Sequence, residues 1–110
     1  MVCENGGGSV TDLVTKGDFP APVDQSAVAA DWSARGYSCG LFVDPPGQAW
    51  NDFVHDVNEL VMVAEGRLEM SVGDQSFVAE EGDEVFIPKG AVHSLKNISS
   101  GITKWLYGYD

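Results

Sequence analysis

The fold of this chain is decided by the stretch Gly82-Asp-Glu-Val-Phe-Ile-Pro88-Lys-Gly90-Ala-Val-His93-Ser-Leu-Lys-Asn97. Proline and glycine punctuate it, and a short β-type run lies on either side of them, at Glu84 to Ile87 and at Val92 to Asn97. Pro88 fixes the approach to a turn, and Gly90 permits the backbone to bend tightly. The stretch therefore predicts two strands joined by a short turn, with His93 in the second strand.

Short runs of the same kind fill the chain beyond Gly36, and glycine, proline, asparagine and aspartate separate them. This spacing is typical of all-β sandwiches and barrels. The turn residues Glu65-Gly66 and Gly73-Asp74 favour antiparallel hairpins over helical crossovers, so the predicted fold class is an all-β, antiparallel β-barrel or jelly roll. The predicted strands are Tyr37 to Val43, Ala49 to Val54, Glu59 to Ala64, Arg67 to Val72, Gln75 to Ala79, Glu84 to Ile87, Val92 to Asn97 and Thr103 to Tyr109.

The first third of the chain has a different character, and we predict that residues 1–36 form an N-terminal extension to a barrel domain of residues 37–110. Met1 to Ser9 is rich in glycine and polar residues, which predicts a loose tail. The run Asp24 to Arg35 predicts a short helix, with Asp24 or Ser26 as its cap and Gly36 as its stop. The segment Val10 to Val14 can add a strand to a neighbouring subunit.

Length and composition exclude several classes of protein. At 110 residues the chain fits one domain, and its 44% of hydrophobic residues suits a folded protein. The formal net charge of −11 repels phosphate backbones and anionic lipid surfaces, so nucleic acid and membranes are not expected partners. The longest apolar run, Leu60 to Ala64, is too short to span a bilayer, and the first residues do not resemble a secretory signal. The expected location is cytoplasmic.

Histidine is scarce, with two in the chain, and each lies in or beside a predicted strand. Side chains alternate along a strand, so Glu59 shares a face with Val61 and Val63. A carboxylate among valines is a misfit unless it meets a partner or solvent. His55 lies four residues before Glu59, on the same side in either a strand or a helix. Spacing alone does not choose between metal binding and an ordinary hydrogen-bonded histidine.

The residues around both histidines resemble the two sequence motifs of the cupin superfamily. The second motif is a glycine, five residues, a proline, one residue, a glycine, two residues, a histidine, three residues and an asparagine. It is matched in full by Gly82, Pro88, Gly90, His93 and Asn97. The first motif is matched by Gly47, His55, Glu59 and Gly66, but Phe53 replaces the first of its two histidines. The resemblance implies a cupin-type β-barrel.

In cupins the histidines and the glutamate of these motifs ligate one metal ion, and the resemblance implies that His55, Glu59 and His93 do so here. Two histidines and one carboxylate suit non-haem Fe(II) and catalytic Zn, and Mn, Ni and Cu accept the same ligand types. Without the imidazole that Phe53 replaces, the site either works with three ligands or is vestigial. The alternative to a metal is a mutual hydrogen-bond cluster, such as a protonated histidine paired with Glu59.

Aromatic residues predict an apolar pocket beside these ligands. Phe53 flanks His55, while Trp105 and Tyr107 share a face of the last strand, so we name these three as pocket candidates. Three functions remain open: a metal-dependent enzyme on a small organic substrate, as a dioxygenase or an isomerase; a non-catalytic sensor or binding module for a metal or small ligand; and a metal-free scaffold. Barrel edges and the family resemblance also predict a homodimer.

Overall fold

The computed structural model describes residues 12–110, and within them two antiparallel sheets pack face to face. The first sheet has the strand order β1-β7-β4-β9-β2, and the second has the order β3-β8-β5-β6. The predicted tail from Met1 to Ser9 lies outside the described residues. In chain order the elements are β1 (Val14–Thr15), α1 (Gln25–Ala34), β2 (Gly40–Asp44), β3 (Ala49–Phe53), β4 (Glu59–Glu65), β5 (Arg67–Val72), β6 (Gln75–Glu80), β7 (Glu84–Ile87), β8 (His93–Asn97) and β9 (Thr103–Tyr109).

The predicted antiparallel jelly roll is confirmed, and all eight predicted strands are present. Most strand ends agree within one residue. The largest difference is at β2, which was predicted from Tyr37 and begins at Gly40. Tyr37 instead belongs to the end of the helix, because its backbone N–H donates to the carbonyl of Trp32 at 2.8 Å and its ring packs against the helix cluster. The segment predicted as one strand from Tyr37 therefore divides into two parts: Tyr37 packs with the helix, and β2 begins at Gly40.

The short helix predicted before Gly36 is present as α1. Asp24 is its N-cap, and its carboxylate accepts hydrogen bonds from the backbone N–H groups of Ser26 and Ala27. The helix ends before Gly36, which has a φ of +90°. Helix residues Val28 and Trp32 are fully buried and pack on the outer face of the first sheet. The proposed domain boundary at residue 36 stays a prediction.

Strand β4 is buried on both faces, which explains its continuous apolar sequence. Val61 and Val63 point into the core between the two sheets. Leu60 and Met62 point to the other side, where they pack with α1. The predicted alternation of faces is thus confirmed, and it places Glu59 on the interior face at the start of the strand.

The chain before α1 folds back onto its own barrel. Val14 and Thr15 pair antiparallel with Val85 and Glu84 of β7, so this strand extends a sheet of its own chain. Because β1 is the outermost strand of this sheet, the suggestion that Val10 to Val14 adds a strand to a neighbouring subunit stays a prediction, and the start of that segment lies outside the described residues. No helix among residues 12–110 is long and apolar enough to cross a membrane.

Gly82 of the second motif is required by this N-terminal segment. Its φ is +86°, a left-handed conformation that favours glycine. Gly82 lies in the turn between β6 and β7, and a Cβ placed on it would also lie 2.0 Å from the backbone carbonyl oxygen of Phe19. The backbone N–H of Phe19 donates to the carbonyl of Gly82 at 3.1 Å. The glycine therefore permits the extension to pack directly on the barrel.

Candidate metal centre

The three residues predicted as ligands meet at one end of the space between the sheets. His55 follows β3, Glu59 opens β4 and His93 opens β8. The Nε2 atoms of both histidines lie 3.4 Å from Oε1 of Glu59. One ligand atom from each of the three residues falls within 4.8 Å of the others, which is a spacing that one cation can bridge.

Glu59 is a buried carboxylate in an otherwise mainly apolar part of the interior. The residue is 3% exposed, and within the described chain its buried Oε1 atom has no hydrogen-bond partner. The two histidine contacts at 3.4 Å lie close to this oxygen but do not meet hydrogen-bond geometry. A buried carboxylate oxygen without a donor costs free energy. The arrangement therefore fits a cation between the carboxylate and the two imidazoles.

The orientation of His93 supports the same interpretation. Its Nδ1 lies 3.1 Å from the carbonyl oxygen of Ala91, which can only accept a hydrogen bond, so Nδ1 carries the proton. In the neutral imidazole, Nε2 then presents a lone pair toward Glu59. Two facing acceptors repel each other unless a proton or a metal ion lies between them, and a backbone carbonyl that orients an imidazole is the usual support of a metal ligand.

A proton is the competitor of the metal at this position. Burial, the largest single influence, lowers the pKa of His93. The neighbouring Glu59 carboxylate and the Ala91 carbonyl outweigh it, and the net result is a pKa above the usual value for histidine. The structure thus favours a positive charge beside Glu59, carried either by a protonated imidazole or by a cation.

A β-bulge in β3 directs the neighbouring side chains into the site. Trp50 pairs with Leu95, and Phe53 pairs with His93, so β3 advances three residues while β8 advances two. Asp52 in the bulge has a φ of 58°, which is uncommon for a residue other than glycine, and its N–H donates to Oγ of Ser94 at 2.9 Å. Because of the extra residue, both Trp50 and Phe53 face the candidate site. Parity along a regular strand would have separated them.

The ligands open onto a cavity of about 250 Å³ that is lined mainly by aromatic rings. Two of the three pocket candidates, Phe53 and Trp105, line it. Tyr107 does not reach it and packs beside Phe42, with ring centroids 4.8 Å apart. The full lining is Phe42, Trp50, Phe53, His55, Glu59, His93, Leu95, Trp105 and Tyr109.

Sequence reasoning did not name Phe42 and Tyr109 as pocket residues, although the alternation along β9 placed Tyr109 on the same face as Trp105. The ring of Tyr109 stands edge-on to His55 with centroids 5.2 Å apart. Burial raises the pKa of its phenol, and the charge of Glu59 raises it further. The hydroxyl therefore keeps its proton at neutral pH and can donate a hydrogen bond to a molecule in the cavity.

The donor set, two imidazoles and a carboxylate, suits borderline divalent metals such as Fe, Mn, Ni, Zn and Cu. Its three members leave coordination positions for other ligands, unlike a closed structural site with four protein ligands. Phe53, at the motif position of a fourth ligand, offers no lone pair. The side chains present therefore fit a metal ion that is open toward the cavity.

Comparison with known proteins agrees with the fold. A family model described as a cupin domain matches residues 40–109. No curated protein matches the chain. Among solved structures, the TT1209 protein of Thermus thermophilus is 25% identical with a TM-score of 0.61, over 66% of this chain and 71% of that one.

Two further structures have lower identity. A cupin 2 domain-containing protein of Halorhodospira halophila is 23% identical with a TM-score of 0.63, over 67% of this chain and 52% of that one. The cupin domain of Schizosaccharomyces pombe Cnp3 is 20% identical with a TM-score of 0.62, over 66% of this chain and 51% of that one. The match thus spans about half the length of these two chains. Together with the family match over most of its length, this similarity shows that the chain belongs to the cupin family.

Proposed function

We propose that this protein binds one divalent metal ion through His55, Glu59 and His93 and uses it to hold a small organic molecule in the adjoining aromatic cavity. The observation that carries the proposal is Oε1 of Glu59, which is buried without a hydrogen-bond partner in the described chain and lies 3.4 Å from Nε2 of each histidine. When bound, a divalent metal supplies Lewis acidity toward an oxygen atom of the ligand.

Other residues around the site orient the metal ligands and the bound molecule. The carbonyl of Ala91 holds His93 with its Nε2 atom toward Glu59. Tyr109 keeps a protonated hydroxyl at the cavity wall, where it can orient a polar group of the bound molecule. The aromatic rings make the space beside the ligands largely apolar, and a less polar surrounding strengthens electrostatic interactions there.

The cavity also restricts the class of molecule. Glu59 is the one carboxylate among its described lining residues, and these include no lysine or arginine. A phosphorylated or acidic substrate would find no cation except the metal, and a sugar would leave most hydroxyl groups unpaired. About 250 Å³ of aromatic surroundings suits one ring or a short branched chain that carries one or two oxygen atoms. The sequence predicted a dioxygenase or an isomerase, and this lining favours either reaction on a compact, mainly apolar molecule over a reaction on a sugar.

The metal site is tested by elemental analysis of the purified protein and by titration of the metal-stripped protein with Fe(II), Mn(II), Ni(II), Zn(II) and Cu(II). We expect one ion per chain in the wild type and no stoichiometric ion in His93→Ala or Glu59→Gln. Glu69→Gln is the matched control, because it removes the charge of an exposed carboxylate on β5. Full metal content in His93→Ala would exclude the assignment, and a metal-free wild type that binds no added ion would favour the protonated His93 and Glu59 pair.

The catalytic interpretation needs a separate measurement. Metal-loaded protein is incubated under air with a panel of diols, diketones, keto acids and sugars while oxygen consumption and products are recorded. A dioxygenase consumes oxygen with a member of the first two groups, and Glu59→Gln abolishes that consumption. Tight binding of a panel member without turnover would instead support the non-catalytic sensor.

A further inference from the structure

Asp44 is a buried carboxylate that the metal site does not use. It ends strand β2 and is 3% exposed. Its Oδ2 atom accepts a hydrogen bond from Nε1 of Trp105 at 2.8 Å and another from Nε1 of Trp50 at 3.0 Å. One carboxylate oxygen therefore holds two indole rings that come from different sheets, since Trp50 lies in β3 and Trp105 lies in β9.

Both of these indoles line the cavity beside the candidate ligands. Phe42 packs against both of them, with ring centroids 5.0 Å from Trp105 and 6.2 Å from Trp50. Phe53 continues the series, 6.0 Å from Trp50 and 6.2 Å from the ring of His93. A continuous aromatic wall thus extends from the indoles that Asp44 holds to the imidazole of His93.

Asp44 is itself fixed at the backbone. The side-chain amide of Asn97 donates to the carbonyl of Asp44 at 3.1 Å and to the carbonyl of Gly101 at 3.0 Å. The amide oxygen of Asn97 accepts from Thr103 Oγ1 at 2.7 Å. These bonds tie the end of β2 to β8 and to the start of β9, so the carboxylate has little freedom to move.

Each indole N–H donates a charge-assisted hydrogen bond to the carboxylate of Asp44, and this bond restricts rotation of the indole about its side-chain torsions. Without this bond, a tryptophan in a partly open cavity can tilt, and the aromatic wall loses its defined shape. Asp44 makes no contact with the space where a ligand would lie, because it is absent from the cavity lining. Its effect on a ligand must pass through the two tryptophans.

We propose that Asp44 is a positioning residue that holds Trp50 and Trp105 in place in the aromatic wall of the cavity, and that this wall selects planar ring compounds as ligands. The proposal deepens the proposed function by naming the substrate class, and it rests on that function for the identity of the site. The predicted preference for planar rings depends on the aromatic wall, whereas the proposed function depends on the metal ion.

The test compares phenol with cyclohexanol, which share a six-membered ring and a hydroxyl group but differ in planarity. Binding of each to the metal-loaded protein is measured by titration calorimetry. We expect the wild type to prefer phenol by roughly two- to tenfold, the scale of one aromatic pair. Asp44→Ala should bring that preference close to one while leaving the metal content unchanged. Asp44→Asn, which retains an acceptor oxygen, should restore the preference.

Asp83→Ala is the matched control, because Asp83 is also 3% exposed but binds Lys16 and the backbone of Gly17 away from the cavity. The near-ultraviolet circular dichroism of Asp44→Ala should change in the tryptophan bands, since the two indoles lose their fixed orientation. An unchanged tryptophan spectrum together with an unchanged phenol preference would overturn the proposal.

If Asp44→Ala does not fold, Trp50→Phe tests the same contact. It keeps an aromatic ring at this position and removes one of the two N–H groups that donate to Asp44. Its phenol preference should fall, whereas Trp32→Phe, which alters the helix cluster and not the cavity, should keep it. A Trp50→Phe protein that prefers phenol over cyclohexanol as strongly as the wild type does would contradict the positioning role of Asp44. Loss of metal in every variant, wild type included, would refute the proposed metal function and leave the phenol comparison interpretable.

Discussion

Phe53 occupies the position where the first cupin motif has a histidine, and it is the residue that most separates this site from the four-ligand pattern. Its ring lies beside both retained imidazoles, with centroids 6.2 Å from His55 and 6.2 Å from His93. The bulge at Asp52 turns it to the interior, so a side chain at this position faces the candidate ligands.

Replacing Phe53 with histidine should therefore complete a four-ligand site. We expect Phe53→His to bind Zn(II) or Ni(II) more tightly by roughly 10- to 100-fold, the scale on which supporting groups alter metal affinity. Competition titration against a chelator of known affinity measures this gain, and Phe53→Asn provides a polar control of smaller size. A metal affinity equal to that of the wild type would mean that position 53 cannot reach the ion.

The three candidate ligands could be named from the sequence because the residues around them resemble the two cupin motifs, whereas the spacing of the histidines alone did not choose between a metal ligand and an ordinary hydrogen-bonded histidine. The composition of the pocket could be predicted only in part. Tyr107 and Tyr109 have the same parity, and no pattern in the sequence showed that Tyr109 lines the cavity and Tyr107 does not. The role of Asp44 depends on contacts between strands that are far apart in the chain, which local patterns do not contain.

At the scale of elements, helix α1 is held on the first sheet by a buried polar pair as well as by packing. Trp32 is fully buried, and its indole N–H donates to Oε1 of Glu84 at 2.9 Å. Arg35 donates to both oxygens of Glu84, at 3.0 Å and 2.9 Å. Glu84 lies in β7, so one carboxylate receives both the end of the helix and its largest side chain.

Trp32→Ala should remove most of this attachment. Truncation of a buried tryptophan costs about 3–5 kcal/mol, and here it also leaves Glu84 with one donor fewer. Urea unfolding followed by circular dichroism should show that loss in the free energy of unfolding. Trp32→Phe should cost less, because the ring is largely kept. A loss below about 1 kcal/mol in Trp32→Ala would indicate that the helix is dispensable to the barrel.

The turn between β6 and β7 contains a pH-sensitive contact to the N-terminal segment. Asp83 is 3% exposed and accepts hydrogen bonds from the side chain of Lys16 and from the backbone N–H groups of Gly17 and Glu80. Burial is the largest influence and raises the pKa of Asp83, but these donors together outweigh it and lower the pKa below its usual value.

A lowered pKa in the folded state means that the Asp83 carboxylate stabilises the fold above the pKa of an unfolded aspartate, about 3.9. This stability should disappear as the pH falls below about 4 and through the folded pKa. Asp83→Asn should therefore be less stable than the wild type at pH 7, and the difference should narrow toward pH 3. Thermal unfolding of both proteins across this range measures the effect, and an equal difference at all pH values would contradict it.

The strand pattern was predictable because glycine, proline and aspartate separate the runs, and the parity of β4 correctly placed Glu59 on the same face as Val61 and Val63. The bulge in β3 was not, since the extra residue, Asp52, has no local signature such as glycine. The destination of Val14 also depended on tertiary structure, because a two-residue strand can pair with its own sheet or with another chain. In the structure it pairs with β7 of its own chain.

At the scale of the whole molecule, the predicted homodimer remains a prediction, and strand β2 is where the described chain is best suited to form it. This strand lies at the edge of the first sheet, with Leu41 and Val43 43% and 49% exposed. An edge strand with apolar side chains is a ready surface for a second copy. Antiparallel pairing of β2 with its counterpart would join two five-stranded sheets into one.

Charge should oppose this pairing, because each copy carries a formal net charge of −11. Salt screens such repulsion, since the Debye length falls from about 30 Å at 0.01 M to about 10 Å at 0.1 M ionic strength. We therefore expect light scattering coupled to gel filtration to show more dimer at 0.3 M than at 0.01 M salt. Val43→Lys should give a monomer at both concentrations, because it places a charge on the apolar edge, while Val78→Lys, at a half-exposed position of the other sheet, should still dimerise. A salt-independent monomer in the wild type, or a Val43→Lys protein that dimerises as the wild type does, would exclude β2 as the dimer contact.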